Sequence, residues 1–60
     1  MNRLKELRKD KNKSQKEIAE LLKVNEKTIS RWEKGERPIK TDKAQQLADF
    51  FGVSVGYLLG

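Results

Sequence analysis

Lys27 and Arg31 stand four residues apart, one helical turn, and Lys34 follows three residues later. A guanidinium can grip two acceptors at once, and an ammonium one turn away can reach the same atoms. That pairing suits the O6 and N7 edge of guanine. Other reactive groups are scarce. The chain has no histidine and no cysteine, which removes the usual general base, the commonest metal ligand, disulfides and thiolate metal sites. There is no Gly-rich phosphate loop, so an enzyme fits poorly. No cofactor, metal or small-molecule ligand is indicated. The net charge of +5 suggests a polyanionic partner. Charge alone equally suits lysines that keep a small domain dissolved, so the arrangement of the charges must decide.

The 60 residues suffice for one domain, expected over 1–60. A domain this small buries only about 60% of its unfolded surface, which leaves room for one core and no deep substrate cavity. No apolar run approaches the roughly 18 residues of a membrane span. The polar start, Met1-Asn2-Arg3-Leu4-Lys5-Glu6, does not read as a signal peptide. The expected location is the cytoplasm, with no membrane partner. No stretch alternates apolar and polar residues over several positions, so strands are not expected.

Helical spacing predicts an all-α chain of five helices, over about residues 2–11, 15–22, 26–34, 42–51 and 55–59. In the first, Leu4, Leu7, Arg8 and Lys11 share a face, and Asn12 can take the left-handed conformation that ends it. Ser14 followed by Glu17 is a capping-box pattern opening the second, with Ile18, Leu21 and Leu22 as its apolar stripe and Ala19 as a point of close approach. Asn25 caps the third and Gly35 closes it. At about 100° per residue, Ile29, Trp32 and Glu33 cluster on one side of that helix, and Lys27, Arg31 and Lys34 fall on the other, flanked by Thr28 and Ser30. Trp32 therefore reads as core rather than as a platform for a base. Pro38 breaks the chain before the fourth helix, which Thr41 can cap and whose stripe is Ala44, Leu47, Ala48 and Phe51. Gly52 ends it, and Ser54 opens the last.

Only three or four residues separate the second and third helices. That is helix-turn-helix spacing, over about 14–35, with the second helix of the pair presented outward. The stretch from Ser14-Gln15-Lys16-Glu17-Ile18-Ala19 through Thr28-Ile29-Ser30-Arg31-Trp32-Glu33-Lys34-Gly35 resembles the lambda-repressor/Cro-like (XRE) family. The closing segment, Leu47-Ala48-Asp49-Phe50-Phe51-Gly52-Val53-Ser54-Val55-Gly56-Tyr57-Leu58-Leu59, is similar to that family's last segment. Two residues depart from the pattern. Lys23 stands where the family has a glycine in the turn, so it must adopt or avoid a left-handed backbone. Lys13 stands where an apolar residue precedes the Ser-Gln pair, and its aliphatic stem can cover the core.

The resemblance implies a DNA-binding domain whose base-reading positions fall on Glu26, Lys27 and Arg31, with Thr28 and Ser30 beside them. Thr28 can meet a thymine methyl; Glu26 can accept from a cytosine amino group, or else orient Lys27 and stabilise the helix start. The resemblance also implies that Gln15 bonds a phosphate and braces the reading residues. Asn25, with the amides behind it, is a second phosphate candidate. Lys34, Arg37, Lys40 and Thr41 form a third group, readable as phosphate contacts or as plain solubilising charges. Arg8 and Glu33 lie on inward edges of their helices, and the resemblance implies an ion pair between them.

The function expected is a sequence-specific regulator of transcription, of the phage or prophage repressor type, on double-stranded DNA. One domain reads too few base pairs, so a homodimer on a palindrome is expected. Val55, Tyr57 and Leu59 are its expected surface; Leu58 reads as core. The chain reads as the first part of a longer regulator. A protein-interaction module such as an antitoxin is the rival reading, but the outward face of the third helix is basic and polar, not apolar.

Overall fold

Ser14 and Glu17 form the expected capping box: the Glu17 amide donates to Ser14 Oγ at 3.0 Å, and the Ser14 amide donates to Glu17 Oε1 at 2.9 Å. This fixes the start of one of five helices in the computed structural model, which describes residues 2–60; Met1, the first residue of the expected domain, lies outside them. The helices are α1 (Leu4–Asp10), α2 (Gln15–Leu22), α3 (Glu26–Lys34), α4 (Thr41–Phe51) and α5 (Val55–Leu59). The all-α five-helix architecture and the bounds of α2, α3 and α5 are as expected.

One ending recurs. A residue takes positive φ, and the next amide donates to the carbonyl five residues back, satisfying a carbonyl the helix leaves open. Asn12, Lys23, Gly35 and Gly52 take positive φ at these four ends. The bonds are Lys13 to Arg8, Val24 to Ala19, Glu36 to Arg31 and Val53 to Ala48, each 3.0 Å long. Lys23 therefore adopts the left-handed backbone, at φ 58°. For a side chain other than glycine this costs about 1 kcal/mol. Lys43 of α4 helps hold that turn, donating from Nζ to the Leu22 carbonyl at 3.1 Å.

Three expectations need correction. The first helix is shorter than 2–11, because the Asn2 side chain accepts from the Leu4 amide and the chain turns out at Lys11 and Asn12. Thr41 does not cap α4: Lys40 is the capping residue, without a side-chain bond, and Thr41 is the first helical residue. Ile39, buried in the core, fixes where the chain enters that helix. Leu21 is 47% exposed, outside the stripe assigned to it. Ile18, Leu22 and Ala19 span about 100° of the helix, and Leu21 lies about 60° beyond that arc.

The core comprises Leu4, Ile18, Ala19, Leu22, Ile29, Trp32, Ile39, Ala44, Leu47, Ala48, Phe51 and Leu58, drawn from every helix and the loop before α4. Ala44 and Ala48 are fully buried, so their small side chains bring α4 close to its neighbours. No described helix is long and apolar enough to cross a membrane.

Candidate nucleic-acid interface

Two buried anchors set the attitude of α3. Ile29 is fully buried, and Trp32 nearly so. A third hold is polar. The Arg8 guanidinium donates to Glu33 Oε2 from Nε at 2.7 Å and to Oε1 from Nη2 at 3.2 Å. Its Nη1 donates to the Lys13 carbonyl at 2.9 Å. Gln15 Nε2 donates to the same Glu33 Oε1 at 2.9 Å. The carboxylate of α3 thus accepts from α1 and from the first residue of α2. Its side chain is 4% exposed and that of Arg8 is 11% exposed, so both charges are largely out of water and depend on each other.

With that face spent inward, the opposite face is open. Glu26, Lys27, Arg31 and Lys34 are exposed, while Thr28 and Ser30 are half-buried on the flanks. Asn25 caps the helix, its Oδ1 accepting from the Lys27 amide at 2.8 Å, which leaves its NH2 group as the donor it can present. Thr28 and Arg31 line one shallow depression, of about 400 Å³, with Trp32, Arg37, Pro38 and Lys40. Ser30 and Lys34 line another, of about 270 Å³, with Gln15, Glu33, Arg8 and Lys5. The exposed face of α3 thus runs between two hollows, each bordered by cations.

The Helix-turn-helix family matches residues 4–58. The chain belongs to the lambda repressor-like (XRE) helix-turn-helix family. It is a family of DNA-binding, non-enzymatic domains. The chain is also 40% identical over 58 residues to the HTH-type transcriptional regulator ImmR of Bacillus subtilis (strain 168). That alignment covers 97% of this chain and 46% of the relative, so the chain spans about half the relative's length. No solved structure gives a significant match.

Within this helix-turn-helix domain, the remaining candidates divide by place. Arg37 and Lys40 share a hollow with Arg31 because buried Ile39 pins the loop between them. Thr41 is exposed at the start of α4. Glu26 and Lys27 sit at the start of α3 and line neither hollow. On α5, Tyr57 and Leu59 are about half exposed, Leu58 is fully buried, and Val55 is half-buried against the core. Val55 therefore has less to give a partner than its two neighbours. Sequence reasoning passed over Lys5, which is exposed and borders the hollow of Gln15 and Lys34. Its spacing of three residues from Arg8 was the available signal.

Proposed function

We propose that this domain is a sequence-specific, double-stranded-DNA-binding transcriptional regulator, working inside the cell as a repressor of the phage or prophage type. The observation that carries the reading is the division of α3: Ile29, Trp32 and Glu33 are held inward, and Lys27, Arg31 and Lys34 are exposed opposite them. A helix held that way fits the major groove, where each base pair offers a distinct set of donors and acceptors. Arg31 and Lys27 read guanine edges, Thr28 and Ser30 make shorter contacts, and Glu26 accepts from a cytosine amino group. Gln15, Asn25, Lys34, Arg37, Lys40 and Thr41 take phosphates on either side, which sets register and supplies salt-dependent affinity. The name of the Bacillus relative supports the regulatory role.

The Cα trace of the domain spans 23 × 23 × 18 Å. Successive major grooves on one face of B-DNA lie about 34 Å apart, so two copies can stand side by side. We assign the pairing surface to α5, through Tyr57 and Leu59 with Val55 at its edge, and the target to a palindromic operator. Repression then needs only occupancy of the promoter.

Arg31→Ala and Lys34→Ala separate the two kinds of contact. Arg31→Ala should cost about 1–3 kcal/mol and relax preference at one base position. Lys34→Ala should weaken all duplexes alike and reduce the salt slope by about one. Titration of duplexes differing at single positions, at two salt concentrations, reads both. Equal weakening of every duplex by Arg31→Ala would contradict the assignment.

A further inference from the structure

Asn2 and Arg3, immediately ahead of α1, join the ends of two other helices. The Asn2 amide group donates from Nδ2 to the Trp32 carbonyl, in the last turn of α3, at 2.9 Å. Its Oδ1 accepts from the Leu4 amide at 3.0 Å. Donor and acceptor are both used, so the amide has one workable orientation: turned over, it would set NH2 against N–H and oxygen against oxygen. Arg3 is committed to α5. Its backbone amide donates to the Leu58 carbonyl at 2.8 Å, and Nη1 donates to the Tyr57 carbonyl at 2.7 Å. Its guanidinium also lies over the Tyr57 ring, 4.3 Å from the centroid.

These bonds answer specific needs. A five-residue helix is too short to hold its own shape, and its last carbonyls have no partners within the helix. Arg3 satisfies two of them and brings a positive charge to the negative end of the helix dipole. Buried Leu58 fixes α5 to the core. Arg3 is thereby a fixed point, and Asn2 extends from it to the turn of α3 that contains Arg31 and Lys34.

We propose that Asn2 and Arg3 are positioning residues for DNA recognition, a clasp that sets the C-terminal turn of α3 against α5. The proposal rests on the reading of α3 as the DNA-reading helix. Asn2→Asp tests it cleanly, because the carboxylate still accepts from the Leu4 amide but cannot donate to Trp32. Arg3→Ala removes the other end. Two readouts are needed. The first is the ratio of affinities for a duplex selected from a random pool and for its scrambled counterpart. A lower folded fraction scales both affinities equally and leaves that ratio alone, whereas a displaced reading turn lowers it. Both variants should lower it about three- to tenfold, the effect of one lost hydrogen bond carried into binding. The second is the near-UV circular dichroism of Trp32, the single tryptophan, without DNA. It should weaken in both variants while the far-UV helix signal stays.

An unchanged ratio, or an unchanged Trp32 band, overturns the proposal. If the wild-type chain selects no duplex at all, the regulator reading fails. The Trp32 band then still decides whether the clasp sets the end of α3.

Discussion

Glu33 accepts from two different helices with one carboxylate, and that makes it the most exposed point of failure at the scale of single residues. Removing Arg8 would leave a buried anion facing only the Gln15 amide. Arg8→Ala should therefore destabilise the domain by about 3 kcal/mol, more than the pair is worth in net terms, because the stranded charge remains. For a chain of this length that lowers the melting temperature by more than about 10 °C. Arg8→Met combined with Glu33→Leu should recover much of the loss; a melt indifferent to Arg8→Ala would contradict the account. The Arg8–Glu33 contact could be anticipated from resemblance, since both residues fall on inward edges. The Gln15 bond to Glu33 could not. A side-chain amide chooses its partner only after α2 and α3 have packed, and nothing in helical period encodes that choice. Asn2 and Arg3 are further cases: their partners lie 30 and 54 residues along the chain.

Among the elements, ends marked by a side chain were legible and ends set by packing were not. Ser14, Asn25 and Ser54 each accept from a backbone amide in the first turn of α2, α3 and α5, and those three helices begin where the sequence reading puts them. α4 has no such mark; its start follows from buried Ile39. Leu21 shows the complementary limit, because spacing gives the angle between side chains but not the width of the buried arc. The capping box makes a prediction in pH. The Ser14 amide donating to Glu17 holds that carboxyl below its ordinary value of 4.5; desolvation opposes it, and the Ser14 hydroxyl and nearby Lys13 lower it further. A lowered folded value means that ionised Glu17 stabilises α2 above the ordinary value and that this contribution is lost as pH falls through the folded one. Glu17→Gln keeps an acceptor for the Ser14 amide but carries no charge. It should melt lower than wild type near pH 7, and the gap should close as the solution is acidified below the ordinary carboxyl value of 4.5 and through the lower folded one. A gap that widens on acidification would refute this.

For the whole molecule, the fold is a means of holding one short helix by its inward face while keeping the other face open. Every core contact of α3 serves that end: Ile29 and Trp32 by packing, Glu33 by charge, Asn2 from the segment before α1. The net charge of +5 then acts through place, since Arg31, Lys34, Arg37 and Lys40 border the hollows beside the exposed face. The most direct test is methylation interference on a duplex recovered from a random pool. A methyl on guanine N7 blocks the major-groove edge, and a methyl on adenine N3 blocks the minor groove. N7 methylation at guanines within the site should abolish binding, while N3 methylation beside them should leave it nearly intact. Binding that tolerates N7 methylation throughout the site, or that is lost on N3 methylation instead, would contradict the claim that α3 enters the major groove.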